Sequence, residues 1–469
     1  MSHFVLSDLN LDFSALLLLF VTVCAFMIPV ALILPPVPVL KSDALLQTHT
    51  RAGVRGSRSA LGNQLAADHA PRDGKPATVQ SLLIYPVKSC RSIELTRSRV
   101  LPQGLEFDRL FTFAQLKSPF PVSLDASEDA KGQHRWEFVT QRQFPRLATV
   151  KVDLWLPDEM KLRKQSMKPT REAFLILRFP WKADGWRGIL SVIGAKLSRG
   201  AAAEPEKEIL LPVDFPSAAE IKDKGYTFDD VKIWKDVVTA LNMSTELPRE
   251  LMLYLGVSNK LGLFRVDPAQ LREVYRCAPR KEDAGYQPVT GFQDAYPLHV
   301  ITLNSLQQFS EEVPKDEQLK EIDVRRFRAN IILSGVPAYD EETWKRARFR
   351  PGRSNLHNDA VFHVSCRTVR CKMPNVDHYT GERHPREPDD SLRTRRNVDE
   401  GAPLNGCLGM QLTPLFEVDE ALRRNTNANT QTGSGLLGDD DPDDGRSAWV
   451  AVGMTVDVEE RGEHLYIKQ

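Results

Sequence analysis

RTVRCKMPNVDHYTGERH, running from Arg367 to His384, is the stretch from which the rest of the chain is read. It sets Cys371 directly after Arg370 and ahead of Asn375-Val376-Asp377 and Thr380-Gly381, with His378 and His384 beyond and His363 and Cys366 upstream. Thiolates and imidazoles in one segment invite a zinc site. The C-x₄-C pair of Cys366 and Cys371 lacks a well-placed second arm, however, so the spacing is poor for zinc. A plainer reading is a buried thiol among satisfied surface histidines. A third reading rests on the neighbours of Cys371. A guanidinium beside a thiol favours its anionic form, and a soft thiolate suits a transition metal whose other ligands are also sulfur.

Working outward, AVFHVSCRTVRC (360–371) alternates in part and reads as a strand that delivers Cys371, and ANIILSG (329–335) reads as a buried strand. PLHVITLNSL (297–306) runs from a strand into a helix with polar residues at the junction. Order on the N-terminal side begins at TVQSLLIYPVKSC (78–90), followed by the strand candidates LFTFAQ, WEFVTQ, ATVKVDLWL and AFLILRF. VKIWKDVVTALNMS (231–244) has helical spacing at Val231, Trp234, Val238 and Leu241. WVAVGMTVDVEE and HLYIKQ predict a closing strand pair. Residues 184–208 read as an inserted loop, and the acidic, low-complexity stretch 425–446 as a disordered one. Many strands with helices at intervals predict an α+β protein with barrel-like sheets.

The chain has 469 residues, enough for two folded units, and 62 basic residues balance 62 acidic ones. Without a basic stripe, nucleic acid is not expected as a partner. The six cysteines, Cys24, Cys90, Cys277, Cys366, Cys371 and Cys407, are scattered, which is not the pattern of a small disulfide scaffold. Residues 13–34 are uncharged and apolar and predict a transmembrane helix. Asp8 and Asp12 precede it, where a cleaved signal would carry positive charge. Lys41, Arg51, Arg55 and Arg58 follow it, which would place the remainder in the cytosol. Residues 42–77 read as a flexible tether.

The central stretch is similar to the cysteine segment of the MOSC-domain family, in which a Cys precedes a Val-Asp-x-x-Thr-Gly turn; the family includes the mitochondrial amidoxime-reducing component. Further segments resemble that family in order: IYPVKSCRSIEL, GLEFDRLFTF, FVTQRQFPRLATV, PLHVITLNSL and VRRFRANIILSG. The resemblance implies an anchor at 1–41, the tether at 42–77, a MOSC N-terminal β-barrel-like domain at 78–275 with an insertion around 184–208, and a MOSC β-barrel domain with flanking helices at 290–469. It also implies a molybdenum-molybdopterin cofactor, with Cys371 as the protein's ligand to the metal and the catalytic residue. Lys88, Ser89, Arg109, Arg142, Thr302, Ser305, Arg328 and Asn330 would cradle the pterin and its phosphate. Cations, hydroxyls and a helix start are the groups such an anion needs.

The implied activity is reduction of N-hydroxylated small molecules, with electrons from a b-type cytochrome and its flavin reductase. The implied location is a single-pass membrane protein with a cytosolic catalytic part, on the outer mitochondrial membrane or the endoplasmic reticulum. The alternative is a sulfur-carrier or cofactor-handling protein using a persulfide on Cys371, since MOSC modules also occur in cofactor sulfurases; the lack of an upstream pyridoxal-phosphate domain weighs against it. A catalytically silent adaptor is the third reading. The cysteine segment departs from the family at two places. Thr368 stands where the amidoxime reducers carry a first cysteine, so Cys366 has no assigned role. His378-Tyr379 replaces a Pro-acidic pair. Asp377 is a candidate proton donor, although capping a turn is its ordinary use.

Overall fold

The computed structural model describes residues 13–33, 40–118, 134–352, 358–416 and 446–468. The strand Ala77–Ile84 organises it. From Ser81 onward its side chains are all buried, as an aliphatic run with both faces covered must be. One edge pairs with Thr455–Arg461, near the end of the chain, and with Ile93–Leu95. The other pairs with Ile331–Ser334, in register Ile331 to Leu82. That second pairing closes the larger sheet on itself through Leu298–Thr302, Cys407–Leu415, Ala360–Val369 and Trp344–Arg350. An N-terminal strand thus completes a barrel built otherwise from the C-terminal half.

A smaller closed barrel contains Thr227–Ile233, Asp236–Asn242, Leu261–Arg265, Phe111–Lys117 and Arg135–Phe138. Beside it lies a four-stranded antiparallel sheet of His49–Arg51, Lys151–Pro157, Phe174–Pro180 and Glu206–Pro212. One apolar core, including Leu82, Val87, Phe111, Phe113, Leu298 and Phe362, runs through all three sheets. The α+β class with barrels is the architecture observed.

The expected membrane span requires correction. A helix forms at Phe13–Ile33, but among the described residues no helix is long and apolar enough to cross a membrane. The transmembrane helix, the membrane contact through residues 13–34 and the single-pass mitochondrial or endoplasmic-reticulum location built on it therefore do not stand.

Residues 42–77 are also more ordered than a tether. Ser42 donates to Glu208, Gln64 bonds both Asp323 and the Val324 N–H, and Leu61 and His69 are buried. Partners more than 150 residues away in sequence hold this segment, so its own composition could not reveal its order. The 231–244 stretch is a hairpin rather than a helix: Val231 faces Val238 and Ile233 faces Asp236, with Trp234 at φ 56° in the turn. Its β-branched residues suit the closed barrel, and tertiary pairing overrides the helical spacing. The 184–208 insertion contains a helix, Gly185–Arg199, instead of a loop. Residues 464–468 form no strand, and the acidic stretch 425–445 lies outside the described residues.

Gly409, in the strand Cys407–Leu415, has φ 79°, and a Cβ there would collide with the His299 imidazole and the Val300 carbonyl oxygen. Both the conformation and the space call for glycine. Gly409→Ala should lower unfolding free energy by about 2 kcal/mol or more, measured by urea denaturation; an unchanged midpoint would contradict this packing.

Candidate functional site

The strand Ala360–Val369 ends where the Arg370 N–H donates to the Gly406 carbonyl at 2.9 Å, and Cys371 follows, half-buried, as the chain leaves the sheet. A short turn over Met373–Asn375 comes next. Asp377 then accepts the backbone N–H groups of Tyr379 (2.8 Å) and Thr380 (2.9 Å) and takes Arg326 Nη2 at 2.5 Å. Although burial pushes its carboxyl up, these donors hold it below the usual range. Asp377 is therefore a turn cap held ionised, a poor proton donor.

Around this exit the two halves of the chain bring a basic cluster together. Tyr85, completely buried, is flanked by the guanidinium groups of Arg109 at 4.6 Å and Arg328 at 4.1 Å from the ring centre. Arg109 bonds Asp108 at 2.5 Å, the Asn330 side-chain oxygen at 3.1 Å and the Arg328 carbonyl at 3.1 Å. Arg328 reaches the Cys90 carbonyl at 2.8 Å with one terminal nitrogen, and burial lowers its pKa to about 10. Arg370 donates to the Phe327 carbonyl at 2.8 Å. Its charge, disfavoured by burial, is supported by Cys371, Asp294 and Tyr85, which ties Cys371 to the cluster.

Lys88 is buried. Its Nζ donates to the Phe292 carbonyl and to Asp294 Oδ1, both at 2.7 Å, and burial draws its pKa down to about 8. Asp294 also accepts from the Trp234 indole at 3.1 Å. Burial alone would raise the Asp294 carboxyl, but Lys88 and that indole hold it well below its ordinary value. Arg142 stacks on Trp234 at 4.4 Å. His299, buried beneath, is kept neutral by burial and by the positive charges of Arg370 and Arg109.

Several donors in this cluster have no acceptor: Arg328 Nη2, Arg370 Nε and Arg142 Nε are buried without a partner. A buried donor left unmade costs roughly 1–3 kcal/mol, and an anion with several acceptor oxygens would relieve all three. Ser89, Arg109 and Arg328 moreover hold φ values of 68°, 50° and 56°, a region that L residues enter reluctantly and that clusters at ligand clamps. The residues present therefore fit a phosphorylated pterin.

Lys88, Ser89, Arg109, Arg328 and Asn330 are thus gathered with Cys371, and Arg142 joins them through Trp234 and Asp294. Thr302 and Ser305 face another partner. Ser305 Oγ donates to the buried Glu341 at 2.7 Å, Thr302 Oγ1 lies within 2.6 Å of Ser305 Oγ, and Thr302 also caps the helix Leu303–Glu312 by accepting the Ser305 N–H. Sequence reasoning missed Tyr85, Trp234, Asp294 and His299. Tyr85 lies within the quoted IYPVK segment, but a buried aromatic there reads as core; Asp294, in an ordinary GFQDAY loop, carries no signal at all. Among the described residues no group of three or more His, Cys, Asp or Glu side chains could hold a metal ion. His363 instead contacts Ser365, and His384 contacts Asp316. A metal at Cys371 would need its other ligands from the cofactor.

Residues 76–179 match the family model of the MOSC N-terminal beta barrel domain, and residues 287–416 match that of the MOSC domain. Mitochondrial amidoxime reducing component 2 of Rattus norvegicus is 22% identical over 322 residues, covering 69% of this chain and 73% of that protein. Molybdenum cofactor sulfurase of Danio rerio is 23% identical over 367 residues, 76% of this chain, and that of Homo sapiens 22% over 364 residues, 73% of this chain. The matches span 35% and 32% of those two sulfurases, so the chain corresponds to about a third of their length.

Glu341 provides a test of this packing. Burial raises its carboxyl pKa from 4.5 to about 7. Between those values the unfolded chain has released the proton that the folded protein retains, so Glu341's contribution is full below pH 4.5 and is lost as pH rises through about 7. Glu341→Gln should flatten the fall in unfolding free energy across that window, read from denaturation at a series of pH values; an unchanged slope would show that Glu341 is not the group responsible.

Proposed function

We propose that this chain, which carries both the MOSC N-terminal barrel domain and the MOSC domain, is a molybdenum-cofactor enzyme that reduces N-hydroxylated small molecules. Relation to molybdenum-cofactor proteins is the part its homologues support directly. The likeness to the amidoxime reducing component covers most of both proteins, whereas the sulfurase likeness covers a third of the relative. The observation that carries the reading is the set of unpartnered buried guanidinium nitrogens around Arg328, together with a half-buried cysteine that, among the described residues, belongs to no group of three or more potential metal ligands.

When bound, the molybdenum group supplies two-electron oxygen-atom transfer, which no side chain can perform. The chain's part is to hold and orient it. Cys371, half-buried where the chain leaves the sheet, would contribute one sulfur ligand. Arg328 and Arg109, fixed against Tyr85 and Asn330, receive the anionic end. Lys88 adds a point charge restrained by Asp294. Trp234, beneath the Arg142 guanidinium, edge-on to Phe138 and 40% exposed, would form an aromatic wall beside the site. A flat, neutral N-hydroxylated substrate such as an amidoxime suits an aromatic wall. A b-type cytochrome and its flavin reductase are the proposed electron source.

Metal analysis of the purified full chain tests this reading. Stoichiometric molybdenum together with reduction of a simple amidoxime is expected, and Cys371→Ala should lower the rate by roughly 100-fold or more and deplete the metal. A chain that binds no molybdopterin would overturn it. A persulfide on Cys371 without metal would indicate cofactor handling, and neither signal would indicate an adaptor. Because Lys88 releases its proton near pH 8, retention of the cofactor should weaken as pH rises through that value. Lys88→Gln should remove the pH dependence while weakening retention at neutral pH, read as cofactor fluorescence released on gel filtration.

A further inference from the structure

A second cysteine arrangement lies away from the cluster around Arg328. Cys277 stands in the segment that follows Arg272–Glu273, and Cys366 is completely buried on the strand Ala360–Val369, at a register shift between Val364 and Cys366. The two sulfurs and the Tyr296 hydroxyl lie close enough to interact with one another. Val274, Tyr296 and Cys366 form a small core against which Cys277, Ala278, Ala295 and Tyr466 pack. Cys277 is half-exposed; the Ile467 N–H donates to its sulfur at 3.4 Å, and the Leu465 carbonyl lies 3.6 Å away.

The surroundings divide the two thiols into different roles. Hydrogen bonds from Cys366, Tyr296 and the Ile467 N–H lower Cys277 to about 6, against the opposing effect of burial. Cys366, donating its hydrogen to Cys277 and buried, is raised well above the ordinary thiol value. One sulfur is thus half-exposed and biased toward the thiolate, and the other is a shielded thiol in the group it packs against. That is the pairing in which a reactive cysteine has a resolving partner. Cys90 and Cys407, pushed up to about 12 by burial, lack it.

We propose that Cys277 and Cys366 are a redox modification site that closes to a reversible disulfide when Cys277 meets a hydroperoxide. The Cys277 sulfur attacks one peroxide oxygen, the O–O bond breaks, and hydroxide leaves to take up a proton, giving a sulfenic acid at Cys277. The Cys366 sulfur then attacks the Cys277 sulfur. An S–S bond forms, the S–O bond breaks, and the hydroxyl departs as water with the Cys366 proton. Two thiols lose two electrons in all, and one hydrogen peroxide becomes two waters. Reduction by an external dithiol through thiol–disulfide exchange restores the pair. The crosslink would tie the segment after Glu273 to the strand that precedes Cys371, next to Leu465–Ile467.

The test uses the reduced full-length chain treated with stoichiometric hydrogen peroxide, quenched by alkylation and mapped by peptide mass spectrometry. A Cys277–Cys366 linked peptide is expected, reversed by dithiothreitol and present also in Cys371→Ser. Cys277→Ser should abolish it. Cys366→Ser, or Cys366→Ala if the serine disturbs the core, should leave Cys277 as a sulfenic acid trapped by dimedone. In the untreated protein, Cys277 should alkylate at neutral pH about tenfold or more faster than the buried Cys90 and Cys407. Both thiols remaining alkylatable after peroxide, or Cys277 passing to sulfinic acid with Cys366 still free in the wild type, would overturn the proposal.

Discussion

The side chain of Asn330 makes three buried hydrogen bonds, and each one joins a different part of the chain. Its oxygen accepts from Arg109 at 3.1 Å and from the His299 N–H at 3.2 Å, while its amide donates to the Leu83 carbonyl at 3.1 Å. Its backbone adds bonds to His299 and Leu83, both at 2.8 Å. The closing strand Ala77–Ile84, the strand Leu298–Thr302 and a guanidinium from the loop before Phe111–Lys117 thus meet on one buried amide. An amide in this position is costly unless bonded, and here both its oxygen and its nitrogen have partners. Barrel closure and placement of Arg109 are therefore parts of the same constraint.

The electrostatics of the cluster follow from that closure. Arg109 and Arg328 share the Tyr85 ring, and Arg370 lies close enough to depress His299. Like charges gathered under cover are unfavourable on their own. Asp108 and Asp294 offset part of this, and three guanidinium nitrogens remain unbonded. An anionic ligand is the physical complement of that arrangement. Cys371 reaches it because the ladder bond from Arg370 to Gly406 holds the strand to its last residue before the chain turns away.

Much of the barrel was legible in the linear pattern. The aliphatic runs at 78–84, 298–302 and 331–334 are strands where their composition places them, and the Thr302 junction opens a helix. The failures have specific causes. The 231–244 stretch satisfies a helical period by coincidence, because a two-residue turn at Trp234 puts Val231 opposite Val238. Residues 42–77 read as a tether because the groups that order them, Glu208 and Asp323, lie far along the chain. Thr302 and Ser305 looked like phosphate ligands until Glu341 was seen against them. A hydroxyl at a helix start serves either purpose, and only its neighbour decides.

The order of motifs along the chain was enough to identify the two MOSC segments, because strand periodicity and the turn after Cys371 are local properties. Which guanidinium nitrogens remain unbonded, which carboxylate restrains Lys88, and that Cys366 faces Cys277 instead of Cys371 were decided only by the tertiary structure. Cys366 and Cys371 are near neighbours in sequence, but they leave one strand in different directions, and Cys277 approaches from 89 positions earlier. Contacts of that kind depend on how sheets close, and no local pattern encodes them.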